Sequence, residues 1–91
     1  MIETRAALWN GQYITYRPGK LHVALDRGVP NKMAYDHLVK AGCKIEYESN
    51  VQGVVDVVVA PKDTLSLAGE LSINSLFRFV EPDILKRENF N

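Results

Sequence analysis

Lys20-Leu21-His22-Val23-Ala24-Leu25, then Pro30 onward to Gly42, then Cys43-Lys44-Ile45-Glu46-Tyr47-Glu48 and Val54-Val55-Asp56-Val57-Val58-Val59-Ala60: these four segments of residues 20–60 decide the fold. Leu21, Val23 and Leu25 alternate with other residues, the period of a half-buried strand. Between Pro30 and Gly42 the period changes. Ala34, Tyr35, Leu38, Val39 and Ala41 fall on one side of a 3.6-residue wheel, and Lys32, Asp36 and Lys40 fall opposite. Pro30 suits a first helical position and Gly42 a position just past the end. Residues 43–48 return to alternation. Residues 54–60 are apolar on both faces, which predicts a central strand. The stretch reads strand, helix, strand, strand.

Working outward, residues 2–8 alternate weakly and end at Trp9. Asn10-Gly11 is a hairpin signal, because a type I′ turn needs positive φ at both central residues. Tyr13-Ile14-Thr15-Tyr16 is rich in strand formers. Pro18-Gly19 predicts a second turn, so the first 25 residues are expected to form a three-stranded meander. Downstream, Ser49-Asn50-Val51-Gln52-Gly53 reads as an expected hairpin loop. Pro61-Lys62-Asp63-Thr64 is a break with a candidate N-cap. Residues 65–73 fit either a short helix or two short strands, and the helix is preferred. Ser75-Leu76-Phe77-Arg78-Phe79-Val80 is a last strand, expected to stop at Pro82.

The expected fold class is therefore α+β. A small, mostly antiparallel sheet, an N-terminal meander plus βαββ(α)β in the split βαβ or ferredoxin-like order, packs on one main helix. A strongly bent sheet or partial barrel is the alternative. Residues 1–81 are expected to be one domain, with 82–91 as a C-terminal tail or arm. Ninety-one residues leave no room for a second core.

Composition excludes several classes. With 46% hydrophobic and 24% charged residues the chain is globular. One cysteine rules out an internal disulfide framework. No apolar run is long enough for a transmembrane helix, and the first residues lack a signal-peptide pattern, so the expected location is the cytoplasm, with no membrane partner. The net charge is zero. Its distribution is uneven, with basic residues in excess before residue 45 and acidic ones after it. That split motivates either head-to-tail self-assembly or simple mixing of charges on the folded surface.

Catalytic chemistry finds no support. His22, His37 and Cys43 are the only histidines and cysteine. Cys43 lies in phase with Ile45 and Tyr47 on the expected buried face, where a thiol behaves as a small hydrophobe. There is no CxxC, HxxxH or HExxH, and the six glycines are isolated, so neither a metal site nor a phosphate loop is expected. Glu46/Glu48 and Glu81/Asp83 read as solubilising and turn residues. No catalytic residue and no cofactor is assigned, and the chain is read as a non-enzyme.

Two binding roles stand against each other. Trp9, Met33, Ile84, Leu85 and Phe90 are hydrophobes hard to bury in so small a domain, which points to a protein partner or a homo-oligomer. An exposed edge strand of the N-terminal meander is a second expected contact, through strand addition. In size and lack of motif the chain is in the style of a small phage-encoded accessory protein, as an inhibitor or adaptor of a host protein or as a self-assembling component. The alternative is a single-stranded nucleic-acid binder. In it, Tyr13 and Tyr16 stack bases while Arg17, Lys20 and Arg27 hold phosphates. The near-neutral pI speaks against that alternative.

Overall fold

The computed structural model describes residues 3–48 and 53–88. Its strands are β1 (Arg5–Trp9), β2 (Gln12–Leu25), β3 (Lys44–Glu48), β4 (Val54–Val58) and β5 (Phe77–Glu88). Helix α1 spans Asn31–Lys40, and α2 spans Thr64–Ser72 after a 3-10 turn at Pro61–Asp63. The protein is α+β, with an antiparallel five-stranded sheet carrying two helices. From β2 onward the sheet order β5-β2-β4-β3 is that of the split βαβ arrangement. None of the described helices is long and apolar enough to cross a membrane.

The spine is β2. β5 pairs with it from Tyr13↔Glu88 to Leu25↔Phe77. Its other side is shared by β1, opposite residues 12–16, and β4, opposite residues 20–24. Here the structure corrects the expected meander. Pro18-Gly19 does not turn the chain. It forms a bulge, because Arg17 pairs with Asp83 and Leu21 with Pro82, leaving residues 18–20 with no partners on β5. Gly19 sits at φ +89°, open to glycine at little cost. Its N–H donates to Thr64 Oγ1 at 2.7 Å, and its carbonyl accepts from Val59 N–H at 3.0 Å. The bulge is thus fastened to β4's exit and to the first residue of α2.

Pro82 does not end the last strand either, and the expected tail is strand as far as Glu88. Proline lacks an N–H to give a ladder, so it is tolerated where pairing is interrupted. Pro82 is fully buried opposite the β2 bulge, where the register jumps. Residues 89–91 lie outside the described part, as do residues 49–52 of the expected hairpin loop.

Packing on the helices places the core. Leu21, Val23 and Leu25 of β2, Val55 and Val57 of β4, and Phe77 and Val80 of β5 form one buried cluster with Ala34 and Leu38 of α1 and Ala68 and Leu71 of α2. Pro30 caps α1 rather than opening it. The helix closes as read. Gly42 at φ +95° donates to the Val39 carbonyl, Cys43 N–H donates to the Leu38 carbonyl, and the Cys43 and Leu38 side chains both join the core. Residues 64–72 are helical, so the sheet packs on two helices of similar length rather than on one main helix. Thr64 is not the cap but the first helical residue, its hydroxyl donating to the Pro61 carbonyl at 2.8 Å.

Candidate functional site

The sheet has three outer edges, and they differ in how well they are defended. Exposed edges invite pairing with another chain unless charge, proline or bulges blunt them. β3 carries Lys44 and Glu46 and is broken by a register shift between Ile45 and Tyr47. β5 carries Pro82, Arg78, Lys86, Arg87 and Glu88, and its pairing with β2 shifts register three times. β1 reads Arg5-Ala6-Ala7-Leu8-Trp9, with one charge at its start and no proline. Its register to β2 is unbroken. Among the described residues no strand pairs with its outer side.

The hairpin fixes which β1 groups face outward. Asn10 (φ +49°) and Gly11 (φ +80°) make the two-residue loop between Trp9 and Gln12. Such a loop closes on a hydrogen-bonded pair, and hydrogen-bonding direction then alternates along the strand. Trp9, Ala7 and Arg5 therefore direct their backbone groups to β2, and Leu8 and Ala6 direct theirs to the open edge. The side chains of Ala6 and Leu8 lie with Thr15 and Tyr13 opposite them. Leu8 is 60% exposed and Tyr13 50% exposed. A shallow cleft of about 150 Å³, lined by Ala6, Tyr13, Ile14, Thr15 and Glu88, lies beside them.

A second cluster forms across the sheet centre. His22 stands opposite Asp56 on β4 and Glu81 on β5. Its Nδ1 is 2.6 Å from Asp56 Oδ1 and its Nε2 3.1 Å from Asp83 Oδ1. An ionised carboxylate only accepts, so both ring nitrogens donate when His22 is an imidazolium. Burial acts to lower the His22 pKa, but the hydrogen bonds and charges of Asp56 and Asp83 outweigh it and raise it above 6.5. A base for a nucleophile needs one nitrogen free. Both are occupied here, so His22 in its protonated form clamps two carboxylates, one of them, Asp56, buried. Nearby, Lys20 Nζ lies 3.3 Å from Glu46. Arg17 Nε lies 3.9 Å from Asp83, beyond hydrogen-bond reach. These pairs join basic residues of the first half to acidic residues of the second. At the sheet centre, the two oppositely charged halves of the sequence therefore meet.

The residues singled out from sequence are dispersed. Trp9 is half-buried against the core, Met33 is exposed on α1, Ile84 is half-buried opposite Tyr16, and Leu85 is exposed on β5. Phe90 lies outside the described residues. The nucleic-acid surface is not assembled, because Tyr16 is buried while Tyr13 is exposed, on opposite faces of β2. Arg27 lies elsewhere, with Asp26 and Arg78 around a cleft of about 450 Å³ at the start of α1. Neither this cleft nor the one beside Tyr13 is lined by a histidine. His37 accepts from the Asn74 amide at 3.1 Å and tilts against Phe77. Among the described residues no group of three or more His, Cys, Asp or Glu is placed to hold a metal ion. The sequence offers an edge strand of the N-terminal meander as a contact but does not single out Ala6 and Leu8 within it, although the lack of lysine and proline in a strand beside a hairpin was there to see. Sequence reasoning also passed over Asp56, whose signal is a lone carboxylate in a run of valines. Comparison with protein-family models, characterised proteins and solved structures gives no match.

Proposed function

We propose that the chain is a small non-enzymatic protein-binding domain that receives an extended segment of a partner along β1. One observation carries this reading: β1 is the undefended edge of a sheet whose β3 and β5 edges are blunted by charge, proline and register breaks. Strand addition draws affinity from backbone hydrogen bonds and specificity from alternate side chains. The outward groups of Ala6 and Leu8 supply the first. The exposed Leu8–Tyr13 surface and its cleft supply the second. Such a domain acts as an adaptor or inhibitor in the cytoplasm.

The test works before any partner is identified. A random-peptide display library is selected on the immobilised protein, and binders are re-measured against Ala6→Pro, with Leu8→Lys as a second variant. Proline at Ala6 removes an outward donor and leaves the β1–β2 bonds in place. Peptides of alternating apolar pattern that bind the parent and lose binding to both variants support the edge. Peptides that bind all three equally, with circular dichroism showing each folded, place the surface elsewhere and overturn the reading.

A further inference from the structure

The outward groups of β1 are complementary to themselves. Consider two copies of β1 antiparallel about a two-fold axis at Ala7. Ala6 then lies opposite the partner's Leu8, and Leu8 opposite the partner's Ala6. These are the residues whose backbone groups face outward, so each pair exchanges both of its bonds. Displacing one copy by a single residue sets an outward group against an inward one and also turns the apolar side chains to the wrong face. The two-fold at Ala7 further overlaps the full five residues of β1.

Side chains agree with this register. The strand's one charge, Arg5, comes to lie opposite the partner's Trp9 on the same face, a cation beside an aromatic ring. No like charges face each other. At the axis, Ala7 meets the partner's Ala7, small enough for the close approach of a non-hydrogen-bonded pair. On the other face, Leu8, the exposed apolar residue of β1, is covered by the partner's Ala6, and the two Leu8–Tyr13 surfaces join into one. An isologous contact of this kind closes on itself and does not propagate.

We infer that the partner at β1 is a second copy of this chain, paired antiparallel about Ala7 to make one sheet across a symmetric dimer. This rests on the reading of β1 as a binding edge and names its occupant. The contact rests on backbone bonds and apolar side chains, with Arg5, already paired to Glu3 of its own chain, as its one charged member, so association depends little on salt, unlike assembly driven by the charge split of the sequence.

The experiment is sedimentation equilibrium over a wide concentration range at low and high salt, joined to cysteine cross-linking. The expected mass rises with concentration from 10.2 kDa toward twice that value, equally in both buffers. Ala6→Pro and Leu8→Lys lose the rise. Under mild oxidation Ala7→Cys becomes a disulfide dimer, since facing residues of such a pair stand about 4.5 Å apart at Cα, within bridging range. Leu8→Cys stays unlinked, because the two Leu8 positions lie across the diagonal. A monomer at every concentration together with unlinked Ala7→Cys overturns self-pairing. If selected peptides still require Ala6 and Leu8, the edge reading survives that result. If they do not, both fall. A dimer that persists in Ala6→Pro and Leu8→Lys also overturns self-pairing through β1.

Discussion

Replacing His22 by glutamine removes a positive charge from between two carboxylates while keeping a side chain that donates a hydrogen bond. The loss can be worked from the geometry. A hydrogen bond to a charged group contributes about 1.5–3 kcal/mol. The Asp56 arm is 2.6 Å long and its carboxylate is 6% exposed, so it takes the middle of that range. The Asp83 arm is 3.1 Å long, Asp83 is 19% exposed and the imidazole 31%, so water screens it and it contributes under about 1 kcal/mol. Glutamine restores part of one arm. The net destabilisation of His22→Gln below pH 6 is about 2 kcal/mol, or a fall in Tm of about 8–16 °C for a domain of this size.

The same clamp makes stability depend on pH with a defined sign. The folded pKa of His22 is raised above its ordinary value of 6.5. Its contribution is therefore complete below about pH 6.5 and is lost as pH rises through the folded pKa, because the folded state holds a proton the unfolded state has released. Urea denaturation followed by Trp9 fluorescence, from pH 5.5 to 9, reads this directly. An imidazole titration by NMR locates the folded pKa. The parent is expected to lose about 1–2 kcal/mol across that range as the bonds lose their charge, and His22→Gln to lose little. His37 is common to both proteins and cancels in the difference. Parallel pH profiles for parent and variant would show that His22 is not held as an imidazolium between the two aspartates.

Two further outcomes follow from buried groups. Thr64 is fully buried and its hydroxyl both accepts from Gly19 and donates to Pro61. Thr64→Val should cost about 2–4 kcal/mol by leaving both groups unpartnered, Thr64→Ser much less, and a loss under about 0.5 kcal/mol in urea titration would contradict the role given to this hydroxyl. Cys43 is 5% exposed, and burial pushes its thiol pKa up. The native protein should resist a thiol reagent at pH 8 and react once urea unfolds it; rapid reaction without urea would place the thiol at the surface.

The helix α1 was legible because its signals are local: an apolar stripe, a proline at one end and a glycine at the other. Pro18-Gly19 was not, since the same dipeptide serves a turn and a bulge. What decides between them is a strand more than sixty residues downstream pairing on both sides of the interruption. Pro82 misled for the same reason, as it breaks a regular ladder but fits opposite that bulge. Residues 64–72 carry both periods, and packing of the helix against β5 and the Gly19–Thr64 bond settle them as helix. Asp56 reads as an anomaly among valines until β2 and β4 bring His22 beside it. The charge split alone left self-assembly and mixing both open, because sequence halves are not surface halves. β2 belongs to the basic half, and its neighbours β4 and β5 bring it the acidic one.

The spine strand also sets the order in which the domain can close. β1 reaches β2 through a two-residue turn, so that hairpin is quick to form, on the microsecond scale of about 1–10 μs typical of hairpins. β5 reaches the same strand only by closing loops that, between Gln12 and Arg87, separate residues 75 apart in sequence. The chain-entropy cost of those contacts falls before their reward, the condition that slows folding of sheets with distant partners. Until Phe77–Glu88 arrives, one whole side of the longest strand stands open, however early the hairpin on its other side has formed.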